Sequence, residues 1–308
     1  LTFQPVIRYG DSVIGSTPLL LRNSKTKNIF IESINNLSNK YKLMVRELND
    51  QNKESGELLD IETWTEKGWT KVHRVIRHKL IKDKKLFRIT THSGSVIVTD
   101  DHSLLSIDGK EVSSKTLKIG DKLLHDFPTI DNNNDYTFYN GLKLNTEIAQ
   151  FLGMFMGDGS CGVYDCPSGN KASFAINNQN IDIIIKYKDI ANKYFIDFEW
   201  KHLETLESSS VYKLSPVNKK QDGIKSYGKL KTFVSEIRKL MYVNDLLKQK
   251  KVPDFILNAS REIREAFFIG LYDADGFKTN SGVICNDLYT KNKILIICPS
   301  FSGYIYQN

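Results

Sequence analysis

Two segments of the chain end in Asp-Gly and carry the same small residues before that pair. One runs Phe151-Leu-Gly-Met-Phe-Met-Gly-Asp-Gly159, and the other runs Phe268-Ile-Gly-Leu-Tyr-Asp-Ala-Asp-Gly276. If the two final carboxylates lie close together, they repel each other unless cations neutralise them, and divalent metals are their natural partners. A metal-bridged carboxylate pair suits hydrolysis of a phosphodiester. Asp158 and Asp275 are therefore candidate metal ligands and catalytic residues.

A second group of candidates consists of a serine near the start of the chain and a threonine-histidine pair. Ser12 offers a hydroxyl nucleophile, and Thr99 and His102 place a hydroxyl and an imidazole on one turn. A histidine can protonate a departing amide nitrogen. A serine beside such a group can attack the carbonyl that precedes it and convert the amide into an ester. Each residue alone is weak evidence, because a buried histidine is more often a hydrogen-bonded core residue.

Helices must hold the two aspartates. Apolar residues at helical spacing predict helices over Thr146–Met156 and Glu262–Tyr272, with Asn145 and Ser260 as their N-caps. Both patterns run on into the Asp-Gly pairs, so the aspartates fall at helix C-termini.

Small residues four apart give each helix a smooth face. Gly153 and Gly157 lie on one side of the first helix, and Gly270 and Ala274 on one side of the second. Such faces let two helices pack backbone against backbone, which would bring the two aspartates together. The alternative is that each Asp-Gly is only a helix-ending turn, with glycine as a left-handed C-cap. Two matching motifs 117 residues apart favour the paired arrangement.

The rest of the chain indicates an α+β protein with a β-rich first part. Residues from about 12 to 125 contain short β-branched segments between turn signals, and Asp131–Asp135 is a polar linker candidate. The predicted strands there are Leu86–Thr91, Ser95–Thr99 and Ser103–Ile107, with a strand-turn-strand over Leu117–Leu124. Later strands are predicted at Ala172–Ile176 and Val211–Leu214, and later helices at Ile181–Tyr194 and Leu230–Met241.

Composition fits a soluble globular protein of two domains. The chain has 308 residues and a net charge of +7, which permits nucleic-acid binding without requiring it. The longest apolar stretch near the end, Ile294–Cys298, is too short to span a bilayer, and no secretory signal opens the chain. We therefore expect an intracellular protein that does not enter membranes. The four cysteines favour ordinary free thiols, with a zinc site as the alternative; they are Cys161, Cys166, Cys285 and Cys298.

The two Asp-Gly segments resemble the paired motifs of the LAGLIDADG homing endonuclease family. The second matches closely, whereas the first has Met156 where the family has aspartate. The resemblance implies a monomer with a pair of αββαββα units, whose sheets form a saddle over the major groove of double-stranded DNA. It also implies that Asp158 and Asp275 bind Mg²⁺ and catalyse strand cleavage. Lysines then become candidates for phosphate contacts, namely Lys219, Lys220, Lys225, Lys229, Lys231, Lys250 and Lys251.

The Ser12 and Thr99/His102 segments together resemble the N-terminal splicing blocks of inteins. These blocks have a nucleophile followed by Gly-x-Thr-Pro, and later Thr-x-x-His; the stretch Gly68–His78 is similar to the lead into the second block. The resemblance implies that Ser12 performs an N–O acyl shift at the Asp11–Ser12 bond, assisted by Thr99 and His102 and without a cofactor. It also implies the all-β horseshoe (HINT) fold that inteins share with Hedgehog-type autoprocessing domains.

Residues before Ser12 would belong to a host protein. Arg8–Asp11 resembles the first half of Tyr-Gly-Asp-Thr-Asp-Ser, the metal-binding hairpin of family B DNA polymerases. Residues 1–11 are thus predicted to be a polymerase extein, 12–135 a splicing domain and 141–290 an endonuclease domain. The DNA target would be the polymerase gene that lacks the insertion, in the cytoplasm or nucleus of the host cell. Large DNA viruses and microbes both carry similar inteins, so the gene could be viral.

The end of the sequence departs from this pattern. Only 33 residues follow Asp275, so we expect the second endonuclease unit to be truncated. We therefore expect that this chain does not complete splicing in cis and that its half-built endonuclease does not cut DNA. Residues 291–308 are either out of frame or a C-terminal splice block in which Asn308 cyclises. Two other functions remain open: a free-standing homing endonuclease with an unrelated β domain, and a decayed LAGLIDADG protein that binds DNA without splicing or cleavage.

Overall fold

A computed structural model describes most of the chain between Ser12 and Ile284. The described residues are 12–40, 44–48, 51–80, 83–91, 94–124, 126, 128–167, 171–205, 211–218, 220–221, 224–225, 227–243, 250–279 and 282–284. They divide into two compact units between Asn132 and Asn133. The division falls inside the polar run Asp131–Asp135, which has neither helix nor strand.

The first unit is built mainly from short antiparallel strands. Its elements are β1 (Pro18–Asn23), β2 (Ile29–Ser33), α1 (Ile34–Lys40), β3 (Met44–Leu48), β4 (Gln51–Glu57), β5 (Ile61–Thr65), β6 (Gly68–Lys71), β7 (Arg74–Arg77), β8 (Leu86–Thr91), β9 (Gly94–Thr99), β10 (Ser103–Leu105) and β11 (Glu111–Ser113). Four strands pair in the order β2-β1-β5-β6, three in the order β3-β4-β7, and β8-β9 and β10-β11 form two-stranded ribbons. The strands predicted at Leu86–Thr91 and Ser95–Thr99 are confirmed.

Helix α1 departs from the all-β fold expected for this unit. Its Leu37 is buried in a cluster with Leu21, Leu58, Ile61 and Val75. The Ser33 hydroxyl accepts a hydrogen bond from the Asn36 amide and so caps the first turn. Burial of an apolar side chain, combined with this cap, stabilises a short helix that strand periodicity did not indicate.

The strand-turn-strand predicted over Leu117–Leu124 is wrong. The structure has turns there and one isolated bridge between Leu123 and Ser106. The Lys118 amide donates to the Asp121 carboxylate at 2.8 Å, and Gly120 adopts a φ of +100°. The side chain of Asp121 therefore competes with strand pairing for backbone donors. The predicted strand Ser103–Ile107 also ends earlier, at Leu105.

The second unit contains an αββαββα succession. Its elements are β12 (Thr137–Phe138), β13 (Leu142–Lys143), α2 (Thr146–Asp158), β14 (Gly159–Tyr164), β15 (Lys171–Asn178), α3 (Ile181–Tyr194), β16 (Phe198–Thr205), β17 (Val211–Asn218), β18 (Lys220–Gln221), β19 (Ile224–Lys225), α4 (Tyr227–Met241), α5 (Asp254–Leu257), α6 (Arg261–Asp275), β20 (Phe277–Thr279) and β21 (Gly282–Ile284). Helices α2, α3 and α4 alternate with the strand pairs β14-β15 and β16-β17. This confirms the α+β class. Helix α6 is likewise followed by a pair, β20-β21.

All four helices predicted in this unit are present, and each extends the predicted range or equals it. The Asn145 side chain caps α2 by accepting from the Ile148 amide at 3.0 Å, and Ser260 caps α6 in the same way through Ile263. Strands β14 to β17 form one antiparallel sheet in the order β14-β15-β17-β16.

Aromatic side chains fill the space between the sheet and the helices. Phe233 of α4 is completely buried and lies against Phe174, Phe195, Phe198 and Trp200, with ring centroids 5.2 to 6.2 Å apart. Such large buried rings contribute most of the apolar area of a core this size. No described helix combines the length and the apolar character that a membrane crossing requires.

Candidate functional site

Helices α2 and α6 cross with their backbones in contact. A Cβ atom placed on Gly153 would lie 2.0 Å from the Phe267 carbonyl oxygen, and one on Gly270 would lie 1.9 Å from the Gln150 carbonyl oxygen. Because real Cβ atoms essentially never approach closer than 3.0 Å, these positions tolerate no side chain. The close packing inferred from the two glycine stripes is confirmed.

This crossing brings the C-termini of the two helices together. A Cβ atom on Gly157 would lie 2.5 Å from the Ala274 Cβ and 2.7 Å from the Asp275 Oδ2. The carboxylate of Asp275 therefore lies against the last turn of α2, which ends in Asp158. The structure thus places the two predicted metal ligands beside each other, although they are 117 residues apart in sequence.

The glycines that follow the aspartates are not left-handed caps. Gly159 has φ −88° and ψ 150°, and Gly276 has φ −87° and ψ 146°, so the chain passes straight from helix into extended backbone. A Cβ on either glycine would collide at 2.1 to 2.2 Å with a ring of its own helix, that of Phe155 or Tyr272. The alternative of a simple left-handed helix-ending turn is contradicted at both sites.

The surroundings of Asp158 disfavour its charged form. Burial and the nearby charge of Asp275 raise the pKa of Asp158 to about 6, while a hydrogen bond from the Asn178 amide at 2.5 Å and the Lys250 ammonium act in the opposite direction. The negative ends of two helix dipoles also meet here. The end of the helix pair therefore attracts cations.

Lys250 is placed differently from the phosphate-binding lysine that the sequence predicted. Its ammonium donates to three carbonyl oxygens at the end of α2, those of Phe155 (3.0 Å), Gly157 (3.1 Å) and Gly159 (2.7 Å). Burial lowers the pKa of Lys250 to about 8, against the attraction of Asp275 and Asp158. This lysine is a charged cap beside the two aspartates. Its ammonium contacts backbone carbonyls in place of the water molecules that surround a surface lysine.

The donor set at the helix ends fits a hard divalent cation in part. Asp158 and Asp275 supply carboxylate oxygens, which Mg²⁺ prefers, and Mg²⁺ keeps several waters or substrate phosphates as its other ligands. Within the described residues no group of three His, Cys, Asp or Glu side chains could hold a metal without such ligands. Cys161 and Cys166 are free thiols, and Cys285 and Cys298 lie outside the described residues.

Asp273, the first aspartate of the second motif, has a structural position. Its carboxylate accepts hydrogen bonds from the Tyr187 hydroxyl at 2.6 Å and the Lys186 ammonium at 2.8 Å, which tie α6 to α3. Met156 stands at the equivalent place in the first motif and is buried. The departure of the first motif at Met156 therefore leaves the two converging aspartates unaffected.

The remaining predicted lysines stand in different local surroundings. Lys229 donates to Asp197 at 2.6 Å, which was not expected of a phosphate contact, and Lys231 is exposed on α4. Lys251 is partly exposed, and its amide donates to the Met241 carbonyl. Lys220 and Lys225 are partners across the hairpin β18-β19, whereas Lys219 lies outside the described residues.

The sheet offers basic residues that the sequence analysis missed. Strand register places Phe198, Trp200 and Leu214 on the buried face, so their neighbours lie on the opposite face. That face, the outer face of the sheet, carries Ser160, Tyr164, Lys171, Ser173, Asn177, Lys201, Lys213 and Ser215. These residues share one face only because of the register in which the strands pair, and the sequence does not reveal that register.

In the first unit the structure brings Ser12 and Thr99 together. The Ser12 amide donates to the Thr99 hydroxyl at 3.1 Å, and that hydroxyl donates back to the Ser12 carbonyl at 3.3 Å. The Thr99 amide also donates to the Ser12 carbonyl, at 2.8 Å. The bridge between Val13 and Val98 fixes this register. Thr99 thus binds the peptide groups on both sides of the Ser12 α-carbon.

His102 lies one turn after Thr99 and is buried. Its amide donates to the Thr99 carbonyl, and its carbonyl accepts from the Ser114 amide, both at 3.0 Å. The hydroxyl of Ser114 in turn donates to the carbonyls of Thr99 and Asp100. These bonds hold the Thr99–His102 turn rigidly. Asn308 lies outside the described residues.

A histidine that sequence reasoning did not select contacts the Ser12 hydroxyl. The Ser12 hydroxyl lies 2.9 Å from His78 Nε2, and His78 Nδ1 lies 3.0 Å from the Lys79 carbonyl oxygen. His78 is the last residue of the stretch Gly68–His78, which is similar to the lead into the second splicing block. Because Ser12 and His78 are 66 positions apart in sequence, no local sequence pattern predicts their contact.

The fold and the carboxylate site together define a class: an α+β unit with two helices packed backbone to backbone and ending in aspartates, and a β-rich unit in which a serine hydroxyl meets an imidazole. No protein-family model matches the chain. A DNA polymerase of Acanthamoeba polyphaga mimivirus is 39% identical over 301 residues, which are 94% of this chain and 16% of the polymerase. A DNA polymerase of Thermococcus hydrothermalis is 24% identical over 88% of this chain and 16% of that protein.

The same segment also matches a protein that is not a polymerase. The replication factor C small subunit of Methanocaldococcus jannaschii is 23% identical over 86% of this chain, which is 15% of that protein. The chain therefore spans about one sixth of the curated relatives it matches, and the shared segment occurs in two different kinds of protein. Over nearly its whole length the chain is therefore similar to a segment of a viral DNA polymerase, which agrees with the polymerase relationship predicted from its motifs.

Among solved structures, similar ones include the homing endonuclease I-DmoI. Its complex with DNA and Mn is 19% identical, covers 45% of this chain and 66% of that chain, and has a TM-score of 0.28. Its complex with DNA and Ca is 18% identical, covers 45% and 61%, and has the same TM-score.

Proposed function

We propose that the second unit is a metal-dependent, site-specific endonuclease that cleaves double-stranded DNA. The observation that carries this proposal is the convergence of Asp158 and Asp275 at the ends of two helices packed backbone to backbone. The substrate would be the polymerase gene without the insertion, and the cofactor Mg²⁺. A protein that only binds DNA would gain nothing from placing the exposed Asp275 against the partly buried Asp158, because their repulsion disfavours the charged form of Asp158.

The residues of the site have separate tasks in this proposal. Asp158 and Asp275 bind the cation and orient the scissile phosphate, and Asn178 holds the Asp158 carboxylate in place. When bound, the cation would activate water and stabilise the leaving oxygen. The Lys250 ammonium balances the negative charge of the two carboxylates and of the α2 C-terminus.

The outer face of the sheet is the proposed DNA surface. Its basic members are Lys171, Lys201 and Lys213, of which Lys201 is paired with Glu199 of the same strand at 3.2 Å. The hydroxyl and amide side chains of this face can contact phosphates and base edges. Lys231 on α4 can add a phosphate contact outside the sheet. Phosphate neutralisation by lysine makes such binding weaken as salt is raised.

Cleavage of a duplex that joins the sequences flanking the insertion tests this proposal. A full-length version of the protein, with a complete second endonuclease unit, is expected to cut it in Mg²⁺. In that version Asp158→Asn and Asp275→Asn are each expected to abolish cutting while duplex binding persists. Asp189→Asn is the matched control, because Asp189 is an exposed carboxylate on α3. Equal cleavage by all four proteins, or none by the wild type, would reject the nuclease assignment.

We also propose that the first unit performs an N–O acyl shift at the Asp11–Ser12 bond, in a chain whose flanking exteins are polymerase. The supporting observation is the double hydrogen bond between Thr99 and the backbone of Ser12. It can hold the peptide group in place while the neighbouring hydroxyl attacks, which is a proximity effect. His102 is the proposed donor of a proton to the departing nitrogen.

Hydroxylamine provides the test, because it attacks the ester that the shift creates and releases residues 1–11. Release detected by mass spectrometry is expected for the wild type and absent for Ser12→Ala. Ser16→Ala is the control, since Ser16 is an exposed serine in the adjoining turn. Release from Ser12→Ala at the wild-type rate would show that the cleavage does not proceed through the Ser12 ester.

A further inference from the structure

The tautomer of His78 is fixed by its neighbours. The Lys79 carbonyl can only accept a hydrogen bond, so His78 Nδ1, 3.0 Å away, must carry a proton. In the neutral imidazole the other nitrogen then has a free lone pair. That nitrogen, Nε2, lies 2.9 Å from the Ser12 hydroxyl, which donates to it. Two successive hydrogen bonds thus connect a serine hydroxyl, an imidazole and an orienting acceptor, as in enzymes that use a serine nucleophile.

Thr99 does not perform the same task. Its hydroxyl accepts from the Ser12 amide and donates to the Ser12 carbonyl, so it is engaged with the backbone on both sides of the nucleophile. The described partner of the Ser12 side chain is His78. The two residues therefore act on different parts of Ser12, Thr99 on its peptide groups and His78 on its hydroxyl.

We propose that His78 is the general base of the N–O acyl shift; this inference rests on the splicing activity proposed above. His78 Nε2 takes the hydroxyl proton while Ser12 Oγ forms a bond to the carbonyl carbon of Asp11. The bond between that carbon and the Ser12 nitrogen then breaks, and the nitrogen gains one proton. The proton held by His78, or one relayed through His102, supplies it, so an amide and an alcohol become an ester and an amine without net proton change.

A serine needs such a base more than a cysteine would. The hydroxyl does not ionise at neutral pH, whereas a free thiol has a pKa of about 8.5 and is partly thiolate. The contribution of His78 must therefore depend on the nucleophile. This dependence separates a base from a residue that merely supports the fold.

The experiment measures hydroxylamine-induced release of residues 1–11 from the full chain at pH 8.5. His78→Gln keeps a hydrogen-bonding side chain but cannot take the proton, and we expect it to slow release by about 100-fold, the lower range for general base catalysis. His73→Gln is the matched control, because His73 is an exposed histidine five residues earlier. It is expected to release the peptide at the wild-type rate.

The same pair of chains is then measured with Ser12→Cys. General base catalysis predicts that His78→Gln costs less than about 10-fold when the nucleophile is a thiol, because about half of it is already thiolate at this pH. An equal loss in the serine and cysteine backgrounds would assign His78 a structural role, and no loss in the serine background would remove it from the reaction. If the wild-type chain releases nothing, the acyl shift itself fails, and the role of His78 fails with it.

Discussion

Replacement of Gly270 by alanine probes the helix crossing on which the nuclease proposal depends. A Cβ at this position would lie 1.9 Å from the Gln150 carbonyl oxygen and 2.8 Å from the Met154 amide nitrogen. Both are backbone atoms, so no side chain can rotate away. The helices must separate by about 1 Å at this point to restore an ordinary contact.

The size of the effect follows from two opposing contributions. Overpacking of a tight core costs about 3 kcal/mol when the obstacle cannot move. The greater helix propensity of alanine returns about 1 kcal/mol. We therefore expect Gly270→Ala to lower the free energy of unfolding by about 2 kcal/mol, a fall in melting temperature of roughly 4–8 °C.

Denaturant unfolding, followed by circular dichroism, measures this difference. The matched control is Gly228→Ala in α4, where a Cβ meets nothing within 4 Å; it should stabilise the protein by about 0.5 kcal/mol. Gly153→Ala should behave as Gly270→Ala does. If Gly270→Ala is as stable as the wild type or gains stability like the control, the two helices are not packed as described.

Three further substitutions test the electrostatics and the core. The pKa of Asp158 is raised above its ordinary value, so ionisation of this carboxyl destabilises the folded state above pH 6 and not below about pH 4. Asp158→Asn should therefore raise the free energy of unfolding by about 1 kcal/mol at pH 7.5, after allowance for solvent screening. This gain should vanish on acidification. A gain that is independent of pH would contradict this cause. Lys250→Met removes the ammonium donor from three carbonyls, of which that of Phe155 keeps the Gly159 amide as a partner, and should cost about 2 kcal/mol in thermal or denaturant unfolding. It should also raise the pKa of Asp158 further, which an NMR titration of that carboxyl would detect. Phe233→Ala should lower the free energy of unfolding by about 4 kcal/mol because Phe233 is fully buried. The control Leu203→Ala should lower it by less than about 0.5 kcal/mol, since Leu203 is 62% exposed. Similar losses for the two variants in denaturant unfolding would place Phe233 outside the core.

Local rules predicted the helices of the second unit because each one is strongly periodic and begins at a polar cap. The caps Asn145 and Ser260 could be read directly, and the glycine stripes predicted the crossing, because only small residues allow backbones to touch. The meeting of Asp158 and Asp275 then followed from helix geometry. These inferences needed no knowledge of the distant packing.

Features that depend on long-range packing could not be predicted. Lys250 stands in a basic run that is typical of a solvated surface, yet its ammonium caps α2 through atoms about 90 residues earlier in the chain. His78 directly follows the last residue of β7, and only the tertiary fold brings it to the Ser12 hydroxyl. Over Leu117–Leu124 the strand pattern failed because Asp121 binds a backbone amide that a strand would have used.

The most direct test of the central claim is to locate Mn²⁺ by anomalous diffraction in crystals of the chain with a duplex of the joined flanking sequence. We predict a peak at the ends of α2 and α6, within about 2.3 Å of carboxylate oxygens of both Asp158 and Asp275. The peak should disappear in Asp158→Asn and remain in Asp189→Asn. A fully occupied metal elsewhere, with no peak between the two aspartates, would contradict the account.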